Sequence, residues 1–350
     1  MKYWGVHYDV GVHFLPTCLS RPTFDPELIR LEIRAIKEDL HANAVRLVGE
    51  DIDRLRYAGM AAVEAGLSVF FNPWFINQTG EQTLAALGPA VKVAEELRAA
   101  GGDVTFVLGC EHSLFAFGII PGSNVYERVG WLVSLRKGAP QSPTLEQVAE
   151  QVNSFLHRAV DLVRASFGGP LTYAAGVWEH VDWTRIDMVG LDYYRQSQTD
   201  EQYAQGLRDA ARHGKPVGVL EFGCCSYVGA DKEGGMGWML LDEWRDGGAA
   251  WVSGKPPVRS EATQGRYIAD QMDIFVRESV DAVFVFTFAA PYLTHNPDDP
   301  DRDFDMCSFS LTKLFEPQTP RGRSMPPWEP KEAFQSLARY FARFGSQQAK

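Results

Sequence analysis

Short apolar runs alternate with longer amphipathic stretches along the whole chain, which is the pattern of parallel strands joined by crossover helices. Eight runs rich in β-branched and aromatic residues predict strands at Tyr3–Tyr8, Ala44–Val48, Ser68–Asn72, Val104–Leu108, Leu171–Ala175, Met188–Leu191, Val217–Leu220 and Ala282–Phe288. After the first of these, Asp25 reads as a helix N-cap and Pro26 as a first-turn residue, with Leu28, Leu31, Ala35, Ile36 and Leu40 on one face. Near the end of the chain Phe334, Leu337, Phe341 and Phe344 recur at the helical period after a Trp328-Glu329-Pro330 lead-in, which predicts a closing eighth helix. Eight strands with crossovers in 350 residues predict an α/β protein, a single (β/α)8 TIM barrel over residues 1–350.

Three connections are too long to be plain turns: Cys110 to Ser142, Cys224 to Thr263, and Pro291 to Pro327. They leave the fourth, seventh and eighth strands at their C-terminal ends, the face on which barrels build their sites. Long loops on that face predict the walls or lids of one closed pocket, suited to a short substrate more than to a polymer.

Charge and cysteine content narrow the partners. The net charge of -11 is spread without a polybasic block, which argues against a nucleic acid or an anionic membrane as partner. The opening KYWGVHYDVGV lacks the features of a signal peptide, and nothing resembles an apolar span, so a cytoplasmic protein is expected. Five cysteines without a CxxC pair suggest neither a disulfide framework nor a zinc knuckle, and Cys224 and Cys225 read as buried small hydrophobes.

A polar residue just past a barrel strand points into the common mouth, whatever its distance along the chain. That rule selects Glu111, after Val107-Leu108-Gly109-Cys110, and Glu221, after Val217-Gly218-Val219-Leu220. A carboxylate behind an apolar run is costly unless something uses it, because desolvation disfavours its ionised form. Acetal cleavage needs one protonated carboxyl and one carboxylate, and a pair in unequal surroundings supplies both. For a covalent retaining mechanism the two should face each other at about 5 to 5.5 Å.

The segment Lys215-Pro216-Val217-Gly218-Val219-Leu220-Glu221-Phe222-Gly223 resembles the nucleophile strand of the retaining glycoside hydrolases called clan A. The resemblance implies Glu221 as nucleophile and Glu111 as acid/base, with a small glycoside or oligosaccharide as partner and no cofactor. It also implies that Arg46, in Ala44-Val45-Arg46-Leu47, holds the nucleophile ionised, and that a tyrosine after strand six, Tyr194 or next Tyr193, bonds to it. Two positions depart from that family's pattern. Cys110 stands where an asparagine usually precedes the acid/base, and strand eight reads Phe284-Val285-Phe286-Thr287-Phe288 without the usual tryptophan, leaving Phe288 as its aromatic candidate. The chain is also similar to a group of actinobacterial abortive-infection-like proteins, through His7-Tyr8-Asp9-Val10-Gly11 and Glu221-Phe222-Gly223-Cys224-Cys225.

Further substrate-contact candidates are His7, Asn72, Trp74, His112 and Trp178, the two tryptophans as rings on which a sugar face stacks. Two other readings stay open. One is a barrel that binds a sugar or metabolite without turning it over. The other is a metal-dependent hydrolase using ligands from among His7, Asp9, Glu111, His112, Asp192 and Glu221, although the His-x-His of a two-metal amidohydrolase is missing from strand one.

Overall fold

The computed structural model describes residues 1–15, 17–139, 142–242 and 249–348. The eight apolar runs form the strands β1 (Tyr3–Asp9), β2 (Ala44–Gly49), β3 (Ser68–Pro73), β4 (Val104–Cys110), β5 (Leu171–Gly176), β6 (Val189–Asp192), β7 (Val217–Phe222) and β8 (Ala282–Val285). They close into a barrel in the order β1-β8-β7-β6-β5-β4-β3-β2, every pair parallel. Strands covered on both faces carry nearly continuous apolar sequence, and β2, β4, β5 and β7 are buried at every position. Where β1 meets β2 the backbones crowd, and a Cβ on Gly5 would lie 2.0 Å from the Ala44 carbonyl oxygen. Only glycine fits there.

Helices cover the barrel, and most of them begin at a side chain that satisfies free N–H groups. Asp25 caps α1 (Pro26–Glu38), and Asp51 caps α2 (Ile52–Glu64). Capping boxes built on Thr79, Thr144 and Thr199 start α3 (Gly80–Ala99), α6 (Leu145–Arg164) and α7 (Asp200–Ala211). Between β5 and β6 a single 3-10 turn, Trp183–Arg185, replaces the usual helix. The closing helix α9 (Glu332–Gln348) buries Phe334, Leu337 and Phe341 as its period predicts. Its lead-in is a strand, however: Trp328–Pro330 pairs antiparallel with Thr312–Leu314. No helix of the described residues is long and apolar enough to cross a membrane.

The long connections carry ordered structure. After β4 come α4 (His112–Phe115) and α5 (Val125–Arg136). After β7 come two 3-10 segments, Ala230–Lys232 and Gly234–Leu240, and the pair Leu241–Asp242 with Ala250–Trp251, followed by α8 (Glu261–Arg277). Residues 140–141 and 243–248 of these connections lie outside the described residues. Cys224 and Cys225 are buried free thiols.

Strand eight ends at Val285, three residues short of the sequence expectation, because the chain turns out of the sheet at Phe286. The Phe286 amide donates to Phe222 O at 2.9 Å and the Phe288 amide to His7 O at 2.9 Å, so the chain crosses from the β7 side to the β1 side within three residues.

Candidate active site

Register places the polar strand ends side by side. His7 on β1 lies opposite Arg46 on β2, and Asp192 on β6 lies opposite Glu221 on β7. Arg46 is fully buried and forms the centre of the site. Its Nη1 donates to Glu221 Oε1 at 2.9 Å, to Leu220 O at 3.0 Å and to Asp192 Oδ1 at 3.5 Å. Its Nε and Nη2 both donate to Asn72 Oδ1, at 3.0 and 2.8 Å. The planar fork is thereby fixed in one orientation. Tyr194 Oη donates to Glu221 Oε2 at 3.0 Å, so each Glu221 oxygen has its own donor.

Asp192, which the sequence marks only as a possible metal ligand, shares this cluster. Cys110 Sγ donates to its Oδ2 at 3.2 Å and lies 3.8 Å from Glu221 Oε1. Burial, and next the charge of Glu221, push the Asp192 carboxyl well above the ordinary range. Cys110, Asp192 and Glu221 place three potential metal-ligand atoms within 4.8 Å of one another. Arg46 already stands against both carboxylates as their counter-charge, and a metal ion would be forced against it.

Glu111 sits on a different kind of support. Its backbone is left-handed, φ 40° and ψ 51°, a conformation that costs a non-glycine residue on the order of 1 kcal/mol. A small network pins the turn that follows. The His112 amide donates to Tyr173 Oη at 2.6 Å, and the Ser113 amide to Glu179 Oε1 at 2.9 Å. Tyr173 Oη in turn donates to Glu179 Oε2 at 2.8 Å, and the Gly176 amide reaches the same oxygen at 3.2 Å. Burial pushes the Glu111 carboxyl well above the ordinary carboxylate range, and Asp192, Glu221 and Glu179 add negative charge that pushes the same way.

Glu111 and Glu221 line one cavity of about 1440 Å³, its open mouth included. His7, Trp74, Trp178 and Tyr194 line it too. His7 Nδ1 pairs with Thr287 Oγ1 at 2.9 Å, and among the described residues its buried Nε2 has no partner. Burial, then the charge of Arg46, lower the His7 pKa well below its ordinary value, so the ring is neutral. Trp178 is fixed by a bond from Nε1 to Ser113 Oγ at 3.0 Å.

The other predicted contact residues are placed elsewhere. Arg46, Asn72 and Cys110 do not line the cavity: Arg46 and Cys110 bond to Glu221 and Asp192, which do, and Asn72 bonds to Arg46. His112 stacks on Phe155 with ring centroids 3.6 Å apart, and burial lowers its pKa to about 3. Tyr193 stacks on Tyr203 and donates to its carbonyl oxygen at 2.8 Å, away from Glu221. Phe288 packs in the core among Tyr8, Trp328 and Phe334, because the turn at the end of β8 points Phe286 into the cavity instead. Besides Asp192, the cavity gains Asp9, Phe286 and Thr287, and the support gains Glu179.

The whole-chain geometry is similar to that of solved glycoside hydrolases. A GH113 β-1,4-mannanase solved as a complex superposes with a TM-score of 0.62 at 14% sequence identity, over 98% of this chain and 99% of that chain. The GH113 β-mannanase of Alicyclobacillus acidocaldarius gives 0.59 at 16% identity over 98% of both chains. A β-glucosidase gives 0.57 at 14% identity over 98% of both chains. At these identities the likeness shows the TIM-barrel architecture. No family model matches the chain, and no curated protein does. None of these three structures represents the abortive-infection-like group.

Proposed function

We propose that the protein is a retaining glycosidase that acts on a small glycoside or oligosaccharide, with Glu221 as nucleophile and Glu111 as acid/base. One observation carries this reading: two carboxyl groups in opposite surroundings face one cavity. Glu221 receives hydrogen bonds from a guanidinium and a phenol, while Glu111 is driven toward its protonated form by burial.

In the reaction this division supports, Glu221 Oε attacks the anomeric carbon as the glycosidic C–O bond breaks. Glu111 passes its proton to the departing oxygen, so the aglycone leaves as a neutral alcohol. Glu111, now ionised, takes a proton from water, whose oxygen attacks the anomeric carbon and releases Glu221. Arg46 and Tyr194 balance charge on Glu221 through the cycle. The barrel shared with the mannanases and the glucosidase adds to this reading as an analogy of fold.

A mechanism-based fluorosugar decides the matter. Mass spectrometry should find the trapped glycosyl group on the peptide that carries Glu221, and Glu221→Gln should abolish turnover while it spares ligand binding. Turnover of glycosides by Glu221→Gln at the wild-type rate would refute the assignment.

A further inference from the structure

Polar and apolar groups are segregated in the cavity. The carboxylates and imidazole of His7, Asp9, Glu111, Asp192 and Glu221, with the hydroxyl of Thr287, come from the strand ends or the positions just past them. The loops above contribute a mostly apolar surface, with Ser20, Gln196 and Ser308 as polar exceptions. On α5, Val125, Val129 and Leu132 fall at i, i+4 and i+7, one face of the helix, and line the cavity, with the charged Arg136 at i+11 ending the row. An apolar helix face turned to a cavity is a surface left for something to cover.

Four loops supply aromatic rings to the same surface. Phe14 follows β1, Trp74 follows β3, Phe115 follows β4 and Trp238 follows β7, and all line the cavity. Phe14 packs edge-on against both Phe115 and Trp238 with centroids 5.9 Å apart, and Trp74 meets Phe115 at 4.7 Å. Rings from four loops thus join into one roof, continuous with the carboxylates below.

A sugar chain seated under such a roof would bury most of its hydroxyl groups against aliphatic side chains and ring faces that offer no partner, at a cost for each one. An apolar body covers the same wall without that cost and gains from every methylene removed from water. We infer that the roof is an aglycone site, and that the substrate is a small-molecule glycoside whose sugar sits at the carboxylates while a large apolar aglycone fills the space beneath α5 and Trp238. The sugar half of this inference rests on the glycosidase reading.

Calorimetry on Glu221→Gln protein tests it, with methyl and octyl β-glucosides, the corresponding mannosides, and 1-octanol as probes. A buried methylene is worth roughly a factor of four, so even a partly buried chain should make an octyl glycoside bind at least about 50-fold more tightly than its methyl counterpart. Adding Leu132→Asp or, separately, Trp238→Ala should cut that ratio at least about fivefold, since either removes apolar wall. An octyl-to-methyl ratio near one, no octyl binding, or a ratio that neither variant changes overturns the inference. If octanol binds and either variant weakens it, but the wild type turns over no glycoside, the aglycone site stands and the glycosidase reading falls. If the wild type turns over glycosides with no preference for the octyl compounds, the glycosidase reading stands and the aglycone site falls.

Discussion

Tyr173 and Glu179 share a hydrogen bond of 2.8 Å beneath the turn that carries Glu111, and between them they accept the amides of His112 and Ser113. Glu111 itself is held in a left-handed conformation, so the two residues after it fix where its carboxyl points. Tyr173 and Glu179 thereby position the proposed acid/base without lining the cavity themselves.

Tyr173→Phe should separate this positioning role from plain packing. It removes the acceptor of the His112 amide and leaves a Glu179 oxygen without its phenol donor, which should cost about 1 to 3 kcal/mol of stability in urea unfolding. If the network also aims Glu111, turnover of glycosides with poor leaving groups should fall more than that of activated aryl glycosides, and the alkaline limb of the rate should move. A stability loss with both substrate classes and the pH profile unaltered would make the pair merely structural.

Among the described residues Arg46 is the cation that pairs with Glu221 and Asp192 in this buried cluster, so Arg46→Ala should leave two enclosed carboxylates uncompensated. Breaking a buried pair in this way typically costs about 3 to 5 kcal/mol. The catalytic loss should be on the order of a hundredfold in kcat, comparable to removing one donor from a charge-stabilising site. Arg46→Lys should not restore it, because a point charge cannot bond Asn72, Leu220 and Glu221 together. Wild-type kcat in Arg46→Lys would show that the fork geometry is irrelevant.

The barrel is readable because strands covered on both sides leave apolar runs bounded by turn residues, and the starts of seven of the eight fall where those runs begin. The exception is Met188, whose strand begins one residue later, at Val189. The end of β8 is not readable: Phe284, Phe286 and Phe288 alternate as strand residues do, and only the hydrogen bonds to Phe222 and His7 show that the chain has left the sheet. Helix α5 is hidden inside a stretch that reads as irregular, since its apolar stripe faces a cavity. The spacing of Val125, Val129 and Leu132 is the available signal. Glu179, in Val177-Trp178-Glu179-His180, is set apart only by its partners, amides and a phenol brought to it by the fold.

Cys110 should be chemically quiet. The thiol is 3% exposed, and burial, with Asp192 and Glu221 adding negative charge, pushes its pKa well above the ordinary value. The thiolate is the reacting form, so iodoacetamide at neutral pH should label the partly exposed Cys18 well before Cys110 and leave turnover intact. Peptide mapping beside an activity assay checks this. Rapid inactivation that tracks carbamidomethylation of Cys110 would mean that the cluster opens.

The pH dependence of Glu111 tests the proposed division of labour from both rate and stability. Its carboxyl is raised in the folded state by burial first, and then by Asp192, Glu221 and Glu179. Turnover needs the protonated form, so the rate should fall on the alkaline side as this proton is lost, and Glu111→Ala should flatten that limb. The same variant should slow glycosides with poor leaving groups by about 10² to 10⁴, and activated aryl glycosides far less, because only the former need a proton at the departing oxygen. Stability must follow the opposite course from that of a salt-bridged carboxylate. Between the unfolded carboxyl pKa of about 4.3 and the raised folded value, the native state binds more protons than the unfolded chain, so stability declines as pH rises through that window. Glu111→Gln cannot ionise and loses that slope. Its stability relative to wild type, measured by urea unfolding, should therefore be more favourable at pH 8 than at pH 5. A relative stability that worsens with rising pH would mean that the folded protein favours the Glu111 carboxylate, and the acid/base assignment would lose its physical basis.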